Sequence, residues 1–317
     1  MTTPAISVVL PTYNVENYIA RALDSLIKQT YTEFEVIVVD DCGHDNSIKI
    51  AEDYALRDDR IKIIKNPKNL GTYHARRVGV EHAEGSYIVF LDPDDELAEN
   101  CIKYIYEFFV RDESDVVFFD VSYNPLKKWY MKEMKVFPER NATSLIQSYF
   151  TSIRDNYSFG TPGKAFSRKI LLEAYSSLDI DYSFRFVFSE DTCLLVYIFM
   201  TNPKYSVLRY KGYIYYSNPT SITMQSPIKM KENILQYDFM LTKIIKSSMK
   251  LKLSPSDKKT FSLLLRKFQS EKQLFLRHSG GKTDYFRHMF KAWCLVPTLS
   301  KSIRIFIFIV TLGIIRL

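Results

Sequence analysis

The chain has 317 residues, of which 46% are hydrophobic and 25% are charged, and its formal net charge is +7. It can bury a sizeable core and is long enough for one large domain or two smaller ones. The four cysteines are far apart and form no Cys-x-x-Cys pair, which argues against a disulfide framework or a zinc site and fits a reducing cytosol. The N-terminus lacks the basic and long apolar segments of a signal peptide, so we expect a cytoplasmic protein.

Strand and helix patterns alternate over the first 120 residues. Short apolar runs rich in β-branched and aromatic residues predict five strands, at residues 6–10, 34–39, 61–64, 86–91 and 116–119. Apolar residues at helical spacing predict helices between them, at residues 15–26, 48–56, 72–83 and 98–110. This alternation with short connectors predicts an α/β fold with a mostly parallel sheet and helices on both faces.

Three polar clusters follow three of the predicted strands: Pro11-Thr12-Tyr13-Asn14, Asp40-Asp41 and Asp92-Pro93-Asp94-Asp95. Ligands of such sheets bind at the carboxyl ends of the strands, so we expect the clusters to form one site. Three aspartates at the end of a buried strand need a partner, and Mg²⁺ or Mn²⁺ takes carboxylate oxygens together with substrate phosphates. An acidic loop that caps the next helix is the alternative.

The C-terminal third is helical in pattern and strongly basic. Residues 226–317 contain 18 Lys and Arg against 5 Asp and Glu, a balance that attracts nucleic acid or an anionic membrane surface. The apolar run at 305–315 would span roughly 16 Å as a helix, too little to cross a bilayer. With basic residues around it, it could lie in the membrane interface as an amphipathic anchor. Docking on the core, or on a second subunit of a homodimer, is the alternative.

Four motifs occur in a fixed order: Val8–Asn14, Val38–Asp45, Asn69–Gly71 with Ala75-Arg76, and Phe90–Asp95. Their order and spacing resemble family 2 glycosyltransferases, which are inverting enzymes of the GT-A (Rossmann-like) fold. The resemblance implies a GT-A catalytic domain at residues 1–224 and a helical basic region at residues 225–317. Within the domain, residues 1–120 would bind a nucleotide-sugar and residues 121–224 an acceptor.

The resemblance implies a UDP-sugar donor and assigns residues to it. Asp40 or Asp41 would accept a hydrogen bond from uracil N3–H, and Arg76 would face the donor. Lys164 would help bind the diphosphate, with a solvated lysine as the alternative. The full set of implied donor-binding residues is Pro11, Thr12, Tyr13, Asn14, Asp40, Asp41, Asn69, Gly71, Arg76, Asp92 and Lys164. Tyr213–Tyr216 and Ser221–Thr223 resemble a loop that closes over the donor in related enzymes.

The same resemblance implies a metal ion and a catalytic base. Asp94 would ligate Mn²⁺ or Mg²⁺ between the two phosphates, with Asp92 at the ribose or a metal-bound water and Asp95 in support. An inverting transfer also needs a base for the acceptor hydroxyl, and Asp191 in the pair Glu190-Asp191 would be that base. Capping of the helix that follows by its first-turn acids is the alternative, and both roles are compatible.

Within the family, the runs Asp40–Ile48, Phe90–Asp95 and Gly163-Lys164 look most like the lipooligosaccharide β-1,3-galactosyltransferases of Campylobacter-like bacteria. This implies transfer of galactose from UDP-galactose to N-acetylgalactosamine on a lipid-linked oligosaccharide, at the inner face of the bacterial inner membrane. A glucosyl- or N-acetylhexosaminyltransferase of capsule or polysaccharide assembly is the alternative. A nucleotidyltransferase would want a Gly-rich loop after the first strand, which this chain lacks. We expect no nucleic-acid partner, because the basic region has no aromatic platforms.

Overall fold

The computed structural model describes residues 4–124, 144–147, 160–218, 227–277, 282–298, 301–302 and 304–306. The chain divides into two compact units, Met1–Ser221 and Ile222–Leu317.

The described part of the first unit contains one sheet of eight strands. They are β1 (Ile6–Thr12), β2 (Phe34–Asp40), β3 (Ile61–Lys65), β4 (Tyr87–Phe90), β5 (Glu96–Leu97), β6 (Val116–Asn124), β7 (Lys164–Ser167) and β8 (Tyr205–Tyr216). Their order across the sheet is β3-β2-β1-β4-β7-β6-β8-β5. Strands β1 to β4 pair in parallel, whereas β7 pairs antiparallel with both β4 and β6. One half of the sheet is therefore parallel and the other half is mixed.

Six helices surround this sheet in the described residues: α1 (Ile19–Ile27), α2 (Ser47–Ala55), α3 (Thr72–His82), α4 (Cys101–Asp112), α5 (Arg168–Leu178) and α6 (Glu190–Met200). Every strand and helix predicted within residues 1–120 is present, with boundaries shifted by a few residues. Tyr213–Tyr216, which the resemblance placed in a loop, lie instead in β8, so that part of the prediction is wrong. Ser221–Thr223, the other part of that loop, lie outside the described residues.

The two faces of β1 are covered by different helices. Alternate side chains of the strand, Val8 and Leu10 among them, pack into one apolar cluster with buried residues of α1, α2 and α4. On the opposite face α3 lies against Val9, because Gly79 has no side chain there. A Cβ atom at Gly79 would come within 2.3 Å of Val9 Cγ1. The predicted sheet with helices on both faces is confirmed.

The second unit is helical in the described residues, with α7 (Pro227–Ser248), α8 (Pro255–Leu276) and α9 (Lys282–Leu295). None of the helices that the structure describes has the length and apolar composition needed to span a bilayer. Apart from residues 305 and 306, the terminal apolar run lies outside the described residues.

Candidate active site

The predicted polar clusters meet at one edge of the sheet. Thr12 ends β1 and Asp40 ends β2, and the two residues are paired in the parallel register. Asp92 follows β4, which pairs with the other side of β1. Because parallel strands end at the same edge, the three loops after them surround a common space, as the sequence predicts.

The loop after β1 is held by the loop after β2. Asn14 adopts a left-handed backbone conformation (φ 52°), and its Oδ1 accepts a hydrogen bond from the His44 backbone N–H at 2.7 Å. Thr12 is buried and its hydroxyl donates to the Leu10 carbonyl, whereas Tyr13 is 37% exposed. Of these neighbouring side chains, Tyr13 is therefore the one best placed to meet a ligand.

Asp41 is committed to holding the loop that precedes α3. Its buried carboxylate accepts hydrogen bonds from Asn66 Nδ2 and the Leu70 N–H, both at 2.8 Å, and from the Gly71 N–H at 2.9 Å. Asp40 is only half-buried, and its Oδ1 accepts one bond, from the Cys42 N–H at 2.9 Å. Of the two carboxylates that the sequence left as alternatives, Asp40 is the more available to a ligand.

Gly71 allows α3 to begin where it does. Its φ of +86° is unfavourable for residues with a side chain, and a Cβ atom would lie 2.8 Å from Val187 Cγ1 and 2.9 Å from the Phe186 carbonyl oxygen. The preceding Asn69 accepts a hydrogen bond through Oδ1 from Arg185 Nε at 2.8 Å. The residues predicted to bind a donor here thus also anchor α3, which carries Arg76.

Arg76 joins the acidic loop after β4 to the first turn of α6. Its buried guanidinium donates from Nη2 to Asp92 Oδ1 at 2.8 Å, and from Nη1 to Glu190 Oε1 at 3.3 Å and to Asp191 Oδ1. Burial acts to lower the pKa of Arg76, but the three carboxylates outweigh it and raise that pKa. The structure thus gives Arg76 three carboxylate partners, at the point where the resemblance expected it to face the donor.

One guanidinium does not compensate three half-buried acids. Burial, followed by the charge of Asp191, raises the pKa of Glu190 to about 8, and burial also raises the pKa of Asp191. Asp191 Oδ2 accepts a further hydrogen bond from the Thr161 N–H at 3.3 Å. Ser189 precedes the helix with φ 61° and its side chain makes no capping hydrogen bond. A carboxylate with a raised pKa at a sheet edge is suited to accept a proton near neutral pH.

Lys164 lies beneath this cluster and not in solvent. Its side chain is fully buried and Nζ donates to the Gly160 carbonyl at 2.7 Å. Burial lowers the pKa of its ammonium group to about 7, although Asp191 opposes the shift. The alternative of a solvated lysine is therefore wrong.

The carboxylates of the acidic loop, Asp92–Asp95, differ in how many hydrogen bonds they accept. Burial and then the charge of Asp92 raise the pKa of both Asp94 and Asp95, to about 8 for Asp95. Asp94 Oδ2 accepts a bond from Asn218 Nδ2 at 2.9 Å, and the Asp94 carbonyl accepts one from Arg21 Nη2. Asp95 accepts two bonds from β8.

The acidic loop suits a hard cation in part. In the described portion of the chain, no three His, Cys, Asp or Glu side chains lie together as a metal site. Asp92 and Asp94 do supply hard carboxylate oxygens close to each other, and their mutual repulsion is of the kind a divalent cation relieves. Phosphate and water oxygens would have to complete its coordination.

Sequence reasoning missed Arg21 and Asn218, which hold Asp94. Arg21 lies on α1 and Asn218 follows β8, 73 and 124 residues away in sequence. Neither stands in a motif, so no local signal identifies them.

The sequence model of glycosyl transferase family 2 matches residues 7–175, more than half of the chain. The chain belongs to this family.

Curated relatives align with about a third of this chain. EpsJ, an uncharacterized glycosyltransferase of Bacillus subtilis, is 40% identical over 114 residues, which make up 36% of this chain and 33% of EpsJ. The poly(ribitol-phosphate) beta-N-acetylglucosaminyltransferase TarS of Staphylococcus aureus is 40% identical over 114 residues, 35% of this chain and 20% of TarS. The aligned part therefore spans a third or less of these two relatives.

Solved structures resemble the chain over most of its length. S. aureus TarS 1–349 in complex with UDP-GlcNAc has a TM-score of 0.65 at 22% identity, covering 92% of this chain and 81% of that one. Mannosyltransferase PcManGT of Pyrobaculum calidifontis, in complex with GDP-Man and Mn²⁺, has a TM-score of 0.58 at 15% identity, covering 99% and 82%. At identities this low, the structural similarity establishes the fold alone. The predicted GT-A fold is confirmed.

The role of Asp41 as an anchor can be tested by stability. Asp41→Asn replaces a carboxylate oxygen with an amide group that cannot accept, so at least one buried N–H donor loses its partner. We expect the free energy of unfolding to fall by about 1–3 kcal/mol in urea denaturation. Asp40→Asn is the matched control and should lower the free energy of unfolding less, because Asp40 accepts only one hydrogen bond from a backbone N–H in the described residues. Equal stability of the two variants would contradict the anchor role.

Proposed function

We propose that this protein transfers a hexose from a UDP-sugar to an acceptor hydroxyl with inversion at the anomeric carbon. The observation that carries the proposal is that Arg76 donates hydrogen bonds to both Asp92 and Asp191. The acidic loop after β4 and Asp191 are therefore separated by a single side chain. The site for the sugar donor then lies next to a group that can take the proton of the acceptor hydroxyl. Direct displacement of UDP by that hydroxyl requires this proximity. The complex of TarS with UDP-GlcNAc supports a UDP-sugar as donor.

In this proposal the edge of the parallel sheet binds the nucleotide. Asp40 accepts the uracil N3–H, since Asp41 is committed to the loop before α3. Tyr13 and the residues around it, Pro11, Thr12 and Asn14, line the base and ribose. Asn69 and Gly71 shape the side of the site that α3 forms.

Asp92 and Asp94 would hold the divalent cation, with Asp95 in support. When bound, the cation neutralises the charge that develops on the departing UDP. The Mn²⁺ in the complex of PcManGT supports this assignment, and Mg²⁺ is the other candidate. Lys164 contributes from below by holding the Gly160 carbonyl, next to the Thr161 N–H that donates to Asp191.

Asp191 removes the proton from the acceptor hydroxyl. Arg76 and the Thr161 N–H fix the direction of its two oxygens. Burial and the charge of Asp191 raise the pKa of Glu190, which favours the protonated form of Glu190 beside Asp191. The base form of Asp191 is lost as the pH falls through its raised pKa, so the acid limb of activity lies above that of an ordinary aspartate.

We propose galactose from UDP-galactose as the transferred sugar, joined β-1,3 to N-acetylgalactosamine on a lipooligosaccharide-type acceptor. The motifs shared with lipooligosaccharide galactosyltransferases support it. N-Acetylglucosamine is the second candidate, because TarS is named for its transfer and was crystallised with UDP-GlcNAc.

A lipid-linked acceptor would be met at the cytoplasmic surface of the membrane. The outer face of α9 supports this partner. Phe290 is 46% exposed with its ring 5.9 Å from that of Trp293, and Arg287 and Lys291 are exposed on the same helix. Aromatic and basic side chains together favour the interface of an anionic bilayer.

The donor is tested by incubating the purified chain with Mn²⁺ and a panel of UDP-sugars and acceptor glycosides, and measuring released UDP. We expect UDP-galactose with an N-acetylgalactosaminide to give the highest kcat/KM. Highest turnover with UDP-GlcNAc would replace galactose by the second candidate. Release of UDP from none of the donors would contradict the proposed activity.

Asp94→Asn tests the metal site. The variant loses one of the two carboxylates that would hold the cation, so we expect Mn²⁺-dependent UDP release to fall to the level seen in EDTA. Asp59→Asn, on the exposed loop before β3, serves as the control and should retain turnover. Near-normal activity of Asp94→Asn would remove Asp94 from the site.

Asp191→Asn tests the base. The amide keeps the shape and cannot take a proton, so kcat should fall about 10²–10⁴-fold while the Kd for UDP, measured by calorimetry, changes little. Glu190→Gln mimics a protonated side chain and should lose less than Asp191→Asn at pH 7. A parallel loss of UDP binding in Asp191→Asn would assign Asp191 a structural role instead.

A further inference from the structure

Strand β8 supports the acidic loop through one tyrosine. The Tyr213 hydroxyl donates a hydrogen bond to Asp95 Oδ2 at 2.7 Å and accepts one from the Asp92 backbone N–H at 3.2 Å. Tyr213 is 0% exposed and Asp95 is 1% exposed. A single buried hydroxyl therefore connects the first and last aspartates of the loop.

The rest of the loop is fixed to the same strand. The second oxygen of Asp95 accepts the Tyr216 N–H at 2.7 Å, and the Asp95 N–H donates to the Asp92 carbonyl at 2.9 Å. Directly after the loop, Leu97 of β5 pairs with Tyr213 of β8. Both carboxylate oxygens of Asp95 thus accept bonds from β8, which leaves Asp92 and Asp94 as the loop carboxylates that can face a ligand.

Burying Asp95 without these hydrogen-bond donors would cost free energy. A buried carboxyl group left without hydrogen-bond partners is strongly destabilised. The two donors of β8 satisfy both oxygens of Asp95 and hold the loop against the strand.

We infer that Tyr213 is a positioning residue: acting through Asp95, it holds the loop in the conformation in which Asp92 and Asp94 present oxygens to a divalent cation bound with a diphosphate. This inference rests on the proposed function. Tyr213 does not itself touch the cation. Groups that orient metal-binding side chains in this way change metal affinity about 10–100-fold when they are removed.

Tyr213→Phe removes only the hydroxyl and keeps the ring, which packs in the apolar core. The readout is the Kd for Mn²⁺ in the presence of saturating UDP, from the electron paramagnetic resonance signal of unbound Mn²⁺. We expect Mn²⁺ to bind the variant about 10–100-fold more weakly than wild type. Tyr73→Phe is the matched control, since the buried Tyr73 hydroxyl has no hydrogen-bond partner among the described residues, and it should bind Mn²⁺ like wild type.

A second variant tests the route through Asp95. Asp95→Asn should weaken Mn²⁺ binding by itself. The double variant, with both Tyr213→Phe and Asp95→Asn, should have a Kd for Mn²⁺ no higher than that of the weaker-binding single variant, because the two side chains act as one unit. Thermal unfolding shows that each variant is folded. If Tyr213→Phe does not fold, the affinity of Asp95→Asn carries the test, and a wild-type affinity there overturns the inference.

The outcomes separate this inference from the function on which it rests. Wild-type protein that binds Mn²⁺ with UDP, together with a folded Tyr213→Phe variant of equal affinity, overturns the role of Tyr213 and leaves the proposed function intact. Additive losses in the double variant overturn the route through Asp95. Wild-type protein that binds no Mn²⁺ in the presence of UDP overturns the metal-dependent function and this inference with it.

Discussion

The buried guanidinium of Arg76 is the interaction on which the site depends. Three carboxylates converge on it from two segments, the acidic loop after β4 and the first turn of α6. Breaking a buried ion pair by removing one partner typically costs about 3–5 kcal/mol, because the remaining charge has no compensation. Burial in this cluster raises the pKa values of Glu190 and Asp191. The same arrangement thus fixes the relative positions of the acidic loop and the first turn of α6.

The surrounding loops hold this cluster in place by backbone hydrogen bonds. Asp41 collects two N–H groups and a side-chain amide before α3, and Asp95 collects a hydroxyl and an N–H from β8. In each case a buried aspartate is used as an acceptor for the chain itself. Their neighbours Asp40 and Asp94 retain more capacity for a ligand. Each acidic pair therefore divides into one carboxylate that is committed to the chain itself and one that retains acceptor capacity.

The mixed half of the sheet explains how distant residues reach the parallel half. Strand β7 inserts antiparallel between β4 and β6, and Lys164 is its first residue. That placement buries the lysine below the Gly160 turn, whose neighbour Thr161 donates to Asp191. Strand order thus brings Lys164 and Thr161 next to the loops of the parallel half, and α6 follows to supply Glu190 and Asp191.

The sequence by itself determined the alternation of strands and helices in residues 1–120, the sheet edge at which the polar clusters meet, and the motifs that place the chain in its family. These depend on local periodicity and on side chains at strand ends, which are legible within a short window. Only the tertiary structure decided that Asp41 faces inward and Asp40 outward, that Lys164 is buried, and that Arg76 meets α6. The partners in these contacts are up to 115 residues apart. No local pattern encodes which of two adjacent carboxylates turns towards the core, because that choice depends on donors brought close by the order of the strands.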